Sequence, residues 1–341
     1  MDNTTMRAVG YRKSLPITDP ESLIDLEIAV PQPGPHDLLV QVKAVALNPV
    51  DYKVRQGNDP GGELKVLGWD AAGTVVGVGE KVTMFKPGDD VYYAGAIDRA
   101  GANSEYHVVD ERITAHKPAT VTFTQAAALP LTSLTAWEGL FERLGLHNNG
   151  LQRNGSLLIT AAAGGVGAIA AQLARALTSL TVIGTASRPD TIDFAQRMGV
   201  QHIVDHHKPL VPQLAEVAPN GITHVFSTTN TDRNLAAYAE ALKPFGQIVA
   251  IDDFDSLPIG VLKAKSISYH WEFMYTRSLF QTPDQAEQHH ILTQIARLVD
   301  AGILTTTANQ DLGPINAANL REGHRILEAG TAIGKITLTG F

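Results

Sequence analysis

The sequence predicts an α/β protein in two parts, an irregular β-barrel domain and a doubly wound parallel sheet, and three observations carry that expectation. Strand alternation and turn residues fill roughly the first hundred positions, strands and helices alternate in the middle of the chain, and a strand, a glycine turn and a helix follow one another at 157–177. With 341 residues, 44% of them apolar and 18% charged, the chain is long enough to bury the cores of two domains.

In the first part, LLVQVKAVAL (38–47) alternates, AGTVVGVG (72–79) ends in glycines, and KPGDDVYY (86–93) sets a Pro-Gly turn before a strand. From about Phe123 the pattern turns helical through TQAAALPLTSLTAWEGLFERLGL. Beyond the glycine turn, TVIGTA (181–186), HIVDH (202–206), THVFST (223–228) and GQIVAID (246–252) read as short buried strands, with helices near 189–198, 209–218 and 232–242 between them. Helices at roughly 284–301 and 316–329 and a terminal strand, GKITLTGF, complete the chain. Each half has too little material for its own core, so the C-terminal segment is expected to return to the N-terminal domain. The expected division is 1–130 with 279–341 against 131–278, the second being an inserted cofactor domain.

The turn at 157–177 carries the chemistry. Ala162, Gly164 and Gly167 keep the dinucleotide fingerprint spacing after the apolar run Leu157–Ala161, and Val166, Ile169, Ala170, Leu173 and Leu177 recur at helical period. A helix that opens there presents free backbone N–H groups and a positive dipole end to a diphosphate. A side chain at Gly164 or Gly165 would keep the backbone from it. At the end of the second strand an NAD site carries an acid for the ribose 2′-OH, whereas this chain has Thr185-Ala186-Ser187-Arg188, residue types that suit a 2′-phosphate and so NADPH. Ser187 and Asp190 also have the spacing of a capping box with Arg188 solvated, and the two readings are compatible. Thr228, Ile251 and Asp252 end the fourth and fifth strands, on the ligand side of such a sheet.

The net charge of −8, with no basic run, excludes an electrostatic nucleic-acid footprint. The N-terminal segment MDNTTMRAVGYRK has no apolar leader and no stretch reaches membrane length, so a cytoplasmic location without a membrane partner is expected. Zero cysteines exclude disulfides, thiolate catalysis and sulfur-built zinc sites. The twelve histidines lack metal-site spacing, and in the pairs His206-His207 and His289-His290 adjacent side chains are expected to diverge, so no metal is expected.

Six segments in order, NPVDYKVRQG (48–57), LGWDAAGTVVGVG (67–79), FKPGDDVYY (85–93), AAALPLTSLTAWEGL (126–140), TAAAGGVG (160–167) and RILEAGTAIGKITL (325–338), resemble the medium-chain dehydrogenase/reductase superfamily across the chain. The nearest likeness is to its zinc-free quinone oxidoreductase branch, which includes proteins called zinc-type alcohol dehydrogenase-like. The resemblance implies a GroES-like β-barrel catalytic domain, a Rossmann cofactor domain, NADPH dependence, a quinone or enone as small-molecule substrate, and a homodimer. It also implies Thr132 and Thr135 near the nicotinamide, Gly165 and Val166 on the pyrophosphate, Ser187 and Arg188 on the 2′-phosphate, His206 at the adenosine end, and Lys335 in an element closing over the cofactor. Zinc relatives have Gly-His-Glu where this chain reads Gly68-Trp69-Asp70. In the branch's Asn-x-x-Asp-x-Tyr-x-Arg-x-Gly frame, Asn48, Asp51, Arg55 and Gly57 match, but Lys53 stands at the tyrosine position with Tyr52 one place earlier.

Asn48 reads equally as a nicotinamide or substrate contact and as a turn-forming side chain; it is the candidate for positioning substrate, with Tyr52 or Lys53 donating to the oxygen or supplying a proton, a step that water can also serve. In a strand those two neighbours would point to opposite faces. Asp51 and Arg55 read as a structural ion pair. His270-Trp271-Glu272-Phe273 reads as either a substrate-side lining or core. The expected activity is hydride transfer from NADPH to a quinone or enone, with zinc-free alcohol/aldehyde interconversion and NADPH binding without turnover as alternatives.

Overall fold

A computed structural model describes residues 4–146 and 155–341; the first three residues of the N-terminal segment lie outside it. The chain divides into two compact units, Met1–Leu131 with Tyr275–Phe341, and Thr132–Met274.

In the first unit Asp37–Ala46 is the central strand of a seven-stranded sheet, with Asp70–Val78, Tyr106–Asp110 and the C-terminal strand Lys335–Thr339 all paired to it antiparallel. Its alternating burial follows its alternating sequence, with Leu38, Val40, Val42 and Ala44 inward. A smaller sheet joins Ile24–Ala29, Thr5–Tyr11 and Lys65–Val66.

NPVDYKVRQG is a helix, Pro49–Gly57, and not the strand that its Tyr52 and Lys53 were read on. Asn48 is its N-cap residue, Pro49 stands at the first helical position where its missing N–H costs nothing, and the Asp51 carboxylate accepts the Asn48 N–H at 2.7 Å. Successive side chains on a helix lie about 100° apart, so Tyr52 and Lys53 are neighbours on the outward part of its surface. The Asp51–Arg55 ion pair gives way to other partners. Arg55 is fully buried and bonds Glu328, the Leu15 carbonyl and His324, while Asp51 caps its own helix.

The second unit is a six-stranded, wholly parallel sheet in the spatial order His202–Val204, Thr181–Thr185, Ser156–Ile159, Ile222–Ser227, Leu242–Ala250, Ser268–Trp271. Ile183, Leu158, Val225 and Ile248 stand in register across four strands and are all fully buried. The helices Thr231–Ala241 and Leu210–Val217 cover that row with Leu235, Tyr238, Leu210 and Leu214. The strand order reverses between Ser156–Ile159 and Ile222–Ser227, the switch point at which such sheets bind ligands beyond their carboxyl ends.

Candidate functional site

The helix Gly165–Leu177 begins at that switch point, directly after Ser156–Ile159. Helix geometry leaves the N–H groups of Gly165, Val166 and Gly167 without intrahelical acceptors. Gly165 and Val166 stay partly exposed, and Gly164 is the N-cap residue. The turn before them is tight: Ala161 has φ +44, and its N–H is held by the Thr185 hydroxyl at 2.9 Å. Of Gly164 and Gly167, the second is the more constrained by space: a Cβ there would stand 2.6 Å from the Ala161 carbonyl oxygen and 2.8 Å from Ala162 Cα, whereas at Gly164 the nearest atom would be 3.2 Å away. The close approach needed between helix and turn therefore falls on the third fingerprint position. This cradle fits a diphosphate.

Beyond Thr181–Thr185 lie Ser187, Arg188 and His206. Ser187 Oγ and His206 Nε2 are 3.5 Å apart, and Arg188 Nε lies 3.5 Å from Asp190. Burial, then the neighbouring His207, holds the His206 imidazole below its ordinary range, with Arg188 adding to the same direction. The cap of the next helix falls one residue later than expected: the Thr191 hydroxyl accepts the Arg188 N–H at 3.1 Å, so Ser187 takes no part in it. His206 and His207 do not diverge, because their ring centroids are 4.4 Å apart.

Several nominated residues bond inside their own unit. Lys335 is 3% exposed and its three N–H donors go to the Leu47 carbonyl at 2.7 Å, Asn48 Oδ1 at 2.5 Å and Asp70 Oδ2 at 2.9 Å. An ammonium has three donors, so none remains for a cofactor phosphate. Asn48 is equally committed, its Nδ2 donating to Asp70 at 2.8 Å. In this structure Asn48 and Lys335 both bond into one internal cluster centred on Asp70. Asp252 accepts the Thr231 N–H at 2.9 Å and the Thr231 hydroxyl, capping the helix Thr231–Ala241. Thr228 donates its hydroxyl to the Thr160 carbonyl at 2.8 Å, tying two strand ends together. The Ile251 N–H donates to Ser227, and Thr132 and Thr135 are buried. Tyr52 is half-buried and Lys53 exposed.

Trp271 and Phe273 are about half exposed, so those two aromatic rings are not core, whereas Glu272 between them is buried against Arg143. Sequence reasoning missed Asp70 as a bonding centre. The available signal was a carboxylate and an ammonium, Asp70 and Lys335, each opening a largely apolar strand, where burial demands a partner.

The residues do not fit zinc. Trp69 is fully buried where a histidine ligand would stand, Asp70 is saturated by Leu131 N–H, Asn48 and Lys335, and among the described residues no group of three or more metal-binding side chains gathers.

Residues 34–119 match the family described as alcohol dehydrogenase GroES-like domain, and residues 165–281 match zinc-binding dehydrogenase. A zinc-type alcohol dehydrogenase-like protein of Staphylococcus aureus (strain MSSA476) is 37% identical over 98% of this chain and 99% of its own. Among solved structures, a Rhizobium etli CFN 42 protein described as a zinc-dependent alcohol dehydrogenase is 50% identical, with TM-score 0.96 over 99% of this chain and 98% of that one. Escherichia coli quinone oxidoreductase, solved in complex with NADPH, is 25% identical, with TM-score 0.81 over 98% of this chain and 99% of that one. With a GroES-like β domain, a Rossmann-type parallel sheet and relatives alike over nearly its whole length, the chain belongs to the medium-chain dehydrogenase/reductase superfamily of oxidoreductases, beside the zinc-type alcohol dehydrogenase-like proteins.

Proposed function

We propose that the protein uses NADPH to reduce a quinone or an α,β-unsaturated carbonyl without a metal, in the cytoplasm and as a homodimer. The observation that supports it most is the trio Ser187, Arg188 and His206 at the strand end where an NAD site carries an acid. The E. coli quinone oxidoreductase solved with NADPH is consistent with that choice.

A bound reduced nicotinamide supplies the hydride. The N–H groups of Gly165 and Val166 would receive the diphosphate, Ser187 and Arg188 would hold the 2′-phosphate, and His206 would pack at the adenosine end. Thr132 would contact the nicotinamide end, and Thr228 and Ile251 would border the cofactor at the strand ends. On the substrate, hydride arrives at an electron-poor carbon and the negative charge collects on the conjugated oxygen. A hydrogen-bond donor can stabilise that charge where a simple ketone would call for a metal. Tyr52 or Lys53 supplies that donor and passes the proton to the oxygen. Asn48 seats their helix through its bonds to Asp70 and Lys335.

The homodimer reading is supported by the sheet edge. Ser268–Trp271 is the last of the six strands, and an edge strand flanked by exposed aromatic residues is a template for pairing with a second copy.

The test is turnover of an enone, a quinone and an aliphatic ketone with NADPH, using the parent, Tyr52→Phe and Lys53→Met. Loss of a positioned donor costs about 10²–10³ in rate. Enone or quinone turnover that drops by that order in one variant supports the reading. Reduction of the ketone alone, or turnover changed less than tenfold in both variants, sinks it.

A further inference from the structure

Two carboxyl groups and one ammonium are buried together where the helix Pro49–Gly57 begins: Asp51 and Asp70 are 0% exposed and Lys335 is 3%. Both carboxyl groups reach Asn48, Asp51 through its backbone N–H at 2.7 Å and Asp70 through its side-chain amide at 2.8 Å. If all three groups were charged, the cluster would hold an uncompensated negative charge away from water, at a heavy desolvation cost.

The donors are divided unequally. Asp70 collects three, the Leu131 N–H at 2.7 Å, Asn48 Nδ2 at 2.8 Å and Lys335 Nζ at 2.9 Å. Asp51 has one of its oxygens on the Asn48 N–H, while Oδ1 has no hydrogen-bond partner. Asp70 is therefore built as the anion. We infer that Asp51 and Asp70 share a single proton, that it resides on Asp51, and that it allows the helix bearing Tyr52 and Lys53 to seat on its buried N-terminus.

The electrostatics agree with the geometry. Burial pushes the Asp51 carboxyl up to about 7, against the pull of the Asn48 N–H, Lys335 and the Gly68 N–H and with the help of Asp70. Other ionisable groups pack around the cluster. Burial raises the Tyr275 phenol well above its ordinary range. Arg55, on the same helix, is engaged by Glu328, and His324 beside it is held down to about 3 by burial and by that guanidinium.

Asp51→Asn copies the protonated carboxyl in shape and charge and keeps an acceptor for the Asn48 N–H. Unfolding of the full chain by urea, for parent and D51N, is measured from pH 4.5 to 8.5. Because the Asp51 carboxyl is raised in the folded state, the parent loses stability relative to D51N as pH rises. The ratio of their unfolding constants is expected to climb about tenfold per pH unit up to about 7 and then level off. A ratio independent of pH overturns the shared proton. Should D51N not fold, difference infrared spectra of the parent, labelled at aspartate, serve instead: a protonated carboxyl band at pH 6 that vanishes by pH 8.5 supports the inference, and its absence at pH 6 overturns it.

The seating role rests on Tyr52 or Lys53 being the donor, and its readout is kcat for an enone against pH. It is expected to fall in the parent between pH 6.5 and 8.5 and to stay level in D51N; a level parent profile overturns the seating role. A chain with the stability signature but no turnover of any acceptor refutes the proposed reaction and leaves the shared proton standing.

Discussion

Lys335 and Arg188 are both cations nominated for the cofactor, and burial separates them. Lys335 is enclosed with Asp70, so replacing it by Met leaves a carboxylate buried without its cation. Breaking such a pair from one side costs about 3–5 kcal/mol. Lys335→Met is expected to lower stability by that order in urea unfolding, and the double variant Lys335→Met/Asp70→Asn to recover part of it. Recovery is the sign that charge, and not the lost methylenes, dominates. Arg188 is 44% exposed at its side chain, so its contribution to a 2′-phosphate belongs at the low end of charge-assisted bonds, about 1.5 kcal/mol or roughly tenfold. Titration of cofactor fluorescence should show NADPH preferred over NADH in the parent and that preference narrowed about tenfold in Arg188→Ala. Equal affinities in the parent would remove the phosphate reading.

Among the elements, the glycine turn and the helix at Asn48 show what a local signal can and cannot say. The turn was legible because each of its demands is local: a strand, a backbone free of Cβ atoms, a helix start. Within it, space separates the glycines. A Cβ at Gly167 would press on the Ala161 and Ala162 backbone, which cannot yield as a flexible side chain would. Gly167→Ala is expected to cost about 1–3 kcal/mol, as overpacking does, and to weaken cofactor binding with it. Gly164→Ala should cost less, and thermal unfolding of the two variants orders them. The helix Pro49–Gly57 was misread although its start carried the proper signal, an Asn cap, a proline at the first position and an acid at the third. Only its docking through the buried Asp51 and Arg55 shows which face is inward.

For the molecule as a whole, stability should depend on pH through its buried histidines. Burial holds His107 and His224 down to about 4 and His324 to about 3, with Arg55 adding to the last. An unfolded histidine takes its proton near pH 6.5, so in the window from there down to about 4 the unfolded chain binds protons that the folded one refuses. This stability is complete above pH 6.5 and is lost as pH falls, at roughly 1.4 kcal/mol per pH unit for each net proton. Asp51 works in the opposite sense, one group against three. The melting temperature measured by calorimetry should therefore fall steadily from pH 6.5 to 4.5, and a flat profile would contradict the assigned neutral histidines. Assembly is tested separately: light scattering is expected to give twice the 36.5 kDa chain mass for the parent and to shift toward one chain for Trp271→Lys.

What the sequence by itself determined is whatever rests on neighbours along the chain. Strand alternation at 38–47, the α/β alternation after 156, the glycine turn that opens a helix and the exclusion of sulfur-built zinc sites all follow from local spacing or composition. The tertiary structure alone decided the partners of the buried polar groups. Asp70 and Lys335 are 265 positions apart, and Arg55 and Glu328 are 273 apart. Charged residues buried at the ends of largely apolar strands announce that a partner is required, because an unpaired buried charge is too costly to keep. Which partner comes depends on strand pairing, here that of Lys335–Thr339 with Asp37–Ala46, and no spacing along the chain encodes it.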